Sequence, residues 1–191
     1  MEDKKILDYI LIMFRMRSSQ GTCTQCKWEI NLHYDIITDT NLKCRFKKEV
    51  QMGQLMNDII ETAKSFTENF RDRANFDYSI ESLVKVDALL DEMSDYVIDE
   101  DTLYNMYTMI GSYVFETSRR NYGGEYYWVQ DEEQPILVIG EPDFSVAIKA
   151  WDKVKGRIEN GEEDNIPFYI EGLKEHVEKG KLQKGYKALV V

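Results

Sequence analysis

The sequence predicts an α+β fold in which five or six helices pack on a small, mainly antiparallel sheet. Several long segments repeat apolar residues at intervals of three and four, which is the period of an amphipathic helix. Shorter segments alternate apolar and polar residues, which is the period of a half-buried strand. Glycine, proline and asparagine stand between these segments and indicate where each element ends.

The first 76 residues are predicted to form a helix, a hairpin and a long helix. Residues 3–17 fit a helix, although alternation within them also permits a strand. Strict alternation over 26–36 predicts a strand, and the shorter alternation over 42–46 predicts its hairpin partner. Apolar residues at helical spacing over 49–72 then predict the long helix.

Two further helices are predicted in the middle of the chain. Ser79 is suited to cap a helix that extends to about residue 97, and Asp99 is suited to cap the next. The second of these helices should end near residue 120, because Gly123 and Gly124 follow it.

The last third should add two strands and two helices. The strands are predicted over 126–129 and 136–139, around a turn. A helix is expected to open at Pro142-Asp143 and to stop at Asn160-Gly161. Its apolar line is predicted to be Phe144, Ile148, Trp151, Val154 and Ile158. Residues 165–180 predict a final helix, and residues 181–191 an edge strand or a loosely docked tail.

A break near residues 73–79 is the clearest possible domain boundary. It would separate a unit over 1–76 from an acidic α+β unit over 77–191 that contains the Gly-Gly corner. The alternative is one continuous domain over the whole chain. A length of 191 residues is compatible with both arrangements.

Composition excludes several classes of protein. An apolar fraction of 43% excludes a mainly disordered chain. The net charge of -11 argues against direct binding of nucleic acid or of an anionic membrane. The acidity is local, since residues 77–145 hold 16 acidic and 3 basic side chains. No apolar run is long enough for a transmembrane helix, and three cysteines suit a reducing cytoplasm.

The sequence does not favour a structural zinc site. Cys23, Cys26, His33 and Cys44 offer four suitable ligands. On a strand, however, Cys26 and His33 would project from opposite faces of the sheet. No phosphate loop, dinucleotide fingerprint or nucleophile motif occurs elsewhere. The sequence therefore predicts no metal, no cofactor and no catalytic residue, and it favours a protein that is not an enzyme.

The strongest candidate site is the corner where a helix, the Gly-Gly turn and a Trp-bearing strand meet. Glu116 and Arg120 are spaced for an ion pair on the helix. Tyr113 lies between this polar stripe and the predicted core. Asn121 and Trp128 would complete the lining of the corner. Two interpretations remain open: a purely architectural corner, or one that grips a partner's side chain or chain terminus.

These residues resemble a small, largely uncharacterised bacterial family. Its members share Gly-x-Tyr-x-x-Glu on a helix, then Arg-Asn-x-Gly-Gly and a Trp-bearing strand, as in the run from Gly111 to Trp128 here. The later stretch from Lys153 to Asp164 is similar too, and the resemblance covers about residues 80–175. Ser112 departs mildly from the family, which often has Gly or Ala there. The resemblance implies a cytosolic α+β domain without an assigned reaction, and an immunity-like binding role.

The preferred function is a protein-binding module, immunity-like or regulatory, that uses an acidic face. Asp87, Asp91 and Asp95 are predicted to form that face and to meet a basic protein partner. One alternative is a DNA mimic that inhibits a nucleic-acid-binding protein through regularly spaced carboxylates. Another is a small-molecule-binding domain or an enzyme at the corner formed by Glu116, Arg120 and Trp128.

Overall fold

Five helices and four strands form in the described part of the chain, which confirms the predicted α+β class. A computed structural model describes residues 42–94, 96 and 98–191, and side chains for 52–93, 96 and 98–191. The predictions for residues 1–41, including the strand over 26–36 and all but one of the zinc ligands considered, lie outside this part. The boundary at residue 76 stays a prediction.

The helices and strands are numbered here in chain order. Three helices come first: α1 is Leu42–Asn69, α2 is Ser82–Ser94 and α3 is Glu100–Tyr122. The remaining elements are β1 (Glu125–Val129), β2 (Gln134–Ile139), β3 (Ser145–Ile148), α4 (Ala150–Asn160), α5 (Ile166–Leu182) and β4 (Lys187–Val190).

The strands of the sheet lie in the order β1-β2-β3-β4, and the β1–β2 and β2–β3 pairs are antiparallel. Trp128 lies opposite Pro135 in the β1–β2 pair. The chain returns through α4 and α5 before β4 pairs with β3 in parallel, with Val146 beside Ala188. The predicted edge strand in the C-terminal tail is therefore confirmed.

Helix α3 lies at the centre of the core. All nine of its residues from Ile110 to Ser118 are buried, and the helix packs against both α1 and α4. An aromatic cluster fills the contact with α1, where the ring of Phe66 lies 4.8 Å from Tyr113 and 4.7 Å from Phe76. Burial of such large side chains, roughly 1.5–3 kcal/mol each, is the main force that holds these helices together.

The predicted helix caps are confirmed. Asp99 accepts a hydrogen bond from the backbone N–H of Thr102 at 3.0 Å, and acidic side chains occupy the first turn of α3. Ser79 Oγ accepts from the N–H of Ser82 at 3.2 Å, at the start of α2. At the other end of α3, Gly123 adopts a φ of 80° and its N–H donates to Arg119, which confirms the Gly-Gly stop.

The predicted hairpin strand over residues 42–46 is wrong, because these residues begin α1. The prediction depended on only three alternating apolar positions. Leu42 and Phe46 are also four residues apart, so the same pattern fits one face of a helix. The intervening lysine and arginine residues are good helix formers and continue into the long apolar pattern that follows.

The predicted helix start at Pro142 is also wrong. Residues 145–148 form strand β3, and the helix begins only at Ala150. Val146 and Ile148 are buried while their neighbours are half-buried, so the period is two. Ile148 therefore belongs to β3 and Phe144 to the loop before it, and the helical line keeps only Trp151, Val154 and Ile158.

Gly180 does not end the last helix, which continues to Leu182. Its role is close packing, because a Cβ at this position would lie 2.4 Å from the ring of Phe144. A glycine near a helix end was interpreted as a terminator, whereas here it makes room for an aromatic ring from the loop before β3.

Candidate functional site

Glu116 is the buried centre of the predicted corner. Its side chain is 1% exposed, and both carboxylate oxygens accept hydrogen bonds. Arg119 donates from Nε at 2.8 Å and from Nη2 at 3.0 Å, and Arg120 donates from Nε at 2.7 Å. The hydroxyl of Tyr126 on β1 donates at 3.3 Å. The predicted ion pair with Arg120 is present, with a second arginine that the sequence analysis did not assign to it.

Two opposing effects act on the pKa of Glu116. Burial raises it, but the hydrogen bonds and positive charges of Arg119 and Arg120 outweigh burial, so the pKa lies below its usual range. Burial and the Glu116 carboxylate raise the pKa of Tyr126 far above its usual value. Glu116 is thus ionised and Tyr126 neutral at neutral pH, an arrangement suited to structure and not to proton transfer.

This pKa shift predicts how stability responds to acid. Because the pKa of Glu116 is lower in the folded chain than its ordinary value of 4.5, the stabilisation is present above that value. It is lost as the pH falls towards the folded pKa. We expect Glu116→Gln to be less stable than wild type at neutral pH, and to lose less additional stability between about pH 6 and about pH 3.

Urea unfolding across that pH range measures both effects. Glu125→Gln is the matched control, since this glutamate is exposed on β1 and should leave the pH dependence of the wild type unchanged. Equal pH slopes for Glu116→Gln and wild type would show that the Glu116 carboxylate contributes nothing in acid.

A second part of the corner holds the loop before α2. Tyr78 has a φ of 60°, and its backbone N–H donates to the hydroxyl of Tyr113 at 3.0 Å. Its carbonyl accepts from Asn121 Nδ2 at 3.0 Å, and the guanidinium of Arg120 lies 3.6 Å above its ring. The Tyr113 hydroxyl also lies 2.6 Å from Ser82 Oγ, within hydrogen-bond distance. These contacts fasten a non-glycine residue in a left-handed conformation that is otherwise unfavourable.

The structure brings together four of the five predicted corner residues. Tyr113, Glu116, Arg120 and Asn121 form one continuous set of contacts around Tyr78 and Tyr126. These polar groups are directed at one another, which favours the architectural interpretation. The fifth residue, Trp128, has its ring contact elsewhere and belongs to a different surface.

That surface is a row of four aromatic side chains, called the aromatic row here. Its members, from α3 across α4 to β1, are Tyr104, Tyr107, Trp151 and Trp128. Successive ring centroids lie 5.4, 6.5 and 6.2 Å apart, and each neighbouring pair meets edge to face. Tyr104 is 50% exposed and Trp128 is 38% exposed, while the two central rings are half-buried. Aromatic rings at a protein surface are typical of recognition sites.

Close packing against α3 fixes Trp151, one of the two central rings of the row. Trp151 lies over Gly111, where a Cβ would be only 2.7 Å from Cδ1 of the indole. Its Nε1 donates to Ser112 Oγ at 3.3 Å. The mid-helix glycine is therefore explained by close packing, and the indole is anchored on α3 by this contact and by its hydrogen bond.

Carboxylates flank the aromatic row. Burial is the main cause that raises the pKa of Tyr107, and the exposed residues Asp152 and Glu159 on α4 lie close enough to raise it further. Glu100 and Asp101 are exposed one turn before Tyr104 on α3. Together with the aromatic row, these four acidic residues are called the aromatic–acidic surface.

Asp152 is held in place by a buried amide. Gln134 is 4% exposed, and its Nε2 donates to Asp152 Oδ2 at 2.6 Å and to Glu132 Oε2 at 3.1 Å. Lys149 in turn pairs with Glu132 at 2.5 Å. One carboxylate of the aromatic–acidic surface is therefore oriented in advance, which lowers the entropic cost of using it in binding.

The acidic face predicted from Asp87, Asp91 and Asp95 is not a row of free surface carboxylates in the described residues. The side chain of Asp87 is 13% exposed and accepts hydrogen bonds from Arg157 Nε at 3.0 Å and from the N–H of Ile166 at 2.9 Å. Asp91 is 62% exposed, yet it also accepts from Arg157 Nη2 at 2.8 Å. Asp95 lies outside the described residues. Asp87 thus joins α2 to α4 and α5, and it does not contribute to an exposed face.

Among the described residues there is neither a cluster of metal ligands nor a membrane-spanning helix. No group of three or more histidine, cysteine, aspartate or glutamate side chains there is arranged to hold a metal ion. Within the same part of the chain, no helix has the length and apolarity needed to cross a membrane.

Comparisons with models of known protein families, with curated proteins and with solved structures gave no match for this chain. The family resemblance described for residues 80–175 stays a prediction.

Most of the aromatic row was not predicted from the sequence. Trp151 was assigned to the core line of a helix, and Tyr104 and Tyr107 were passed over. A usable signal was Tyr104, which lies about 100° round the helix from Leu103 and so falls outside the apolar line of α3, whereas Tyr107 lies at its edge, three residues before Ile110. The contact between Trp128 and Trp151 could not be predicted from the sequence, because it joins a strand to a helix more than 20 residues later in the chain.

Proposed function

We propose that this chain is a protein-binding module that docks a basic segment of a partner protein on its aromatic–acidic surface. The observation that carries the proposal is the continuous aromatic row with exposed carboxylates beside it. The proposal keeps the predicted basic partner but moves the contact surface from α2 to the side of α3 and α4.

The chemistry of the surface suits a cationic partner. A lysine or arginine over an exposed aromatic ring is worth about 0.5–1 kcal/mol, and desolvation increases that value. Carboxylates beside the rings compensate the positive charge of the partner and increase the rate at which the two proteins associate. The chain uses the same contact internally, where Arg120 stacks on Tyr78 beside the Glu116 carboxylate.

The two alternative functions lose their main support. A DNA mimic on α2 would need Asp87 and Asp91 as free surface charges, whereas both accept hydrogen bonds from Arg157. An enzyme at the corner would need an available Glu116, whereas both of its oxygens already accept hydrogen bonds from arginine.

Fluorescence anisotropy of the full chain with a labelled peptide tests the proposal. The probe is a 12-residue peptide of mixed lysine, arginine and serine, compared with a peptide in which glutamate replaces every basic residue. We expect the basic peptide alone to bind, and its affinity to fall as salt is raised. Trp128→Ala and Tyr104→Ala should each weaken binding by about fivefold, the equivalent of about 1 kcal/mol.

Matched controls distinguish binding at the aromatic–acidic surface from non-specific electrostatic or hydrophobic binding elsewhere on the protein. Phe168→Ala removes another exposed ring, 75% exposed on α5, and should leave binding unchanged. Asp152→Asn should weaken binding, whereas Glu163→Gln, at an exposed position in the turn after α4, should not. Equal binding of the acidic peptide, or equal effects of test and control variants, would overturn the proposal.

A further inference from the structure

The two faces of the sheet differ in how far they are covered. Most apolar side chains on the first face are buried, and that face meets the helices. The ring of Phe115 on α3 lies 5.8 Å from Tyr126, and a Cβ on Gly172 of α5 would lie 3.7 Å from Val190 Cγ1. The strand register places the alternate side chains on the second face. These are Tyr127, Ile136, Val138, Ala147 and Leu189, called the outer sheet face here. All five keep contact with solvent, because four are half-buried and Leu189 is 46% exposed.

An apolar outer face is unusual for antiparallel strands in contact with water. Such strands normally alternate apolar and polar residues, with the polar residues facing solvent. Strand β2 instead reads Gln-Pro-Ile-Leu-Val-Ile, and a continuous apolar run is typical of a strand that is covered on both faces. The outer sheet face therefore has the composition of a buried layer without its burial, which indicates a surface for another polypeptide.

The β1 edge of the outer sheet face is acidic. Glu125 is exposed at the start of β1, and the Tyr127 hydroxyl donates to Glu141 Oε2 at 3.0 Å. Burial is the main cause that raises the pKa of Tyr127, and both carboxylates lie close enough to raise it further. Residues 123–148, which contain β1 to β3, hold six acidic and no basic side chains.

The β4 edge of the outer sheet face is basic. Lys187 lies opposite Ser145 in the β3–β4 pair and is exposed on the same face as Leu189. Lys184 is exposed in the turn before the strand. Residues 179–187 hold four basic and no acidic side chains. The outer sheet face thus carries opposite charges at its two edges.

This division of charge is complementary to a second copy of the chain. If two outer sheet faces pack about a twofold axis parallel to the strands, β1 of one copy lies over β4 of the other. Glu125 and Leu189 lie in the same row across the sheet, and Lys187 is two residues from Leu189. Glu125 of each copy would then lie within about 7 Å, along the strand direction, of Lys187 of the other copy. This contact closes after two copies, whereas pairing the acidic edge of one sheet with the basic edge of the next would not close.

We infer that the outer sheet face is the interface of a homodimer in which two copies pack face to face. A face of four strands about 4.8 Å apart and about five residues long covers roughly 300 Å², less than the about 800 Å² per partner of a standard interface. The dimer should therefore be reversible, with a dissociation constant in the micromolar range. This inference does not depend on the proposed function. Trp128 alternates with Tyr127 on β1 and lies on the first face, so the aromatic–acidic surface stays outside the interface.

Analytical ultracentrifugation of the full chain over a concentration series from about 1 to about 300 µM tests the inference. The weight-average mass should rise with concentration from 22.5 kDa towards twice that value and no further. Val138→Lys places a charge at the centre of the outer sheet face in both copies and should raise the dissociation constant at least about tenfold. Val84→Lys is the matched control, the same substitution at a 58% exposed position on α2, and should leave the dissociation constant unchanged.

A charge exchange at two exposed positions gives a test that does not need Val138→Lys to fold. Glu125→Lys and Lys187→Glu should each weaken dimerisation by about fivefold, because the twofold axis repeats every like-charge contact. The double variant should return the dissociation constant to about the wild-type value.

Four results would overturn the inference. They are a monomer at every concentration, growth beyond the dimer, equal dissociation constants for folded Val138→Lys and Val84→Lys, and a double charge variant that dimerises no better than either single variant. None of them bears on the binding of a basic peptide, so the proposed function is tested separately.

Discussion

Asp87→Ala is expected to lower the free energy of unfolding by about 3–5 kcal/mol, because it removes the buried partner of Arg157 and leaves that charge only the exposed Asp91. Arg157 is 2% exposed, and two of its guanidinium nitrogens donate to the Asp87 carboxylate. The same carboxylate accepts from Asn165 Nδ2 and from the backbone N–H of Ile166 at the start of α5. Urea unfolding followed by circular dichroism measures the loss.

Asp91→Ala is the matched control on the same helix. Asp91 pairs with the same arginine, but its side chain is 62% exposed, so its removal should cost no more than about 1 kcal/mol. If both substitutions cost the same, Asp87 would not be the centre of the contact between α2, α4 and α5.

Gly124→Ala is expected to have the second largest effect on stability. Gly124 has a φ of 109°, where a Cβ adds backbone strain of about 1–3 kcal/mol. The same Cβ would lie 2.5 Å from the backbone carbonyl oxygen of Val138 on β2, and a backbone atom cannot move aside without disturbing the sheet. Overpacking of this kind adds roughly another 1–3 kcal/mol. Thermal unfolding of the variant gives the total.

The adjacent glycine separates strain from steric conflict. Gly123 has a φ of 80°, but a Cβ there would meet nothing within 4 Å. Gly123→Ala should therefore show the strain alone and unfold less readily than Gly124→Ala. The opposite order would mean that the close approach of the corner to β2 is not a constraint on the fold.

Local sequence signals predicted the helices of this protein better than its strands. Caps such as Ser79 and Asp99 act within one helical turn, so the residues that decide them are close together in the chain. The short apolar runs at 42–46 and 145–148 were misassigned because three or four positions fit both periods. Only the long continuation of α1 and the pairing of β3 with β2 and β4 decide between them.

The candidate site was predictable only where its contacts are local. Glu116 and Arg120 are four residues apart on one helix, and their spacing predicts the ion pair that is present. The burial of Glu116 under Tyr126 depends on how β1 folds back on α3, which no local pattern specifies. Asp87 was misinterpreted for a similar reason, because its partner Arg157 is 70 residues away in the chain.

The central claim is that the aromatic–acidic surface, and not the Glu116 corner, receives a basic segment. Two-dimensional NMR of the full chain, titrated with the basic peptide, tests this most directly. Indole N–H signals of Trp128 and Trp151, assigned through Trp128→Phe and Trp151→Phe, should shift progressively, while the side-chain amide of Asn121 should not move. Shifts confined to Asn121 and the arginine N–H groups of the corner, with both indoles unchanged, would contradict the account.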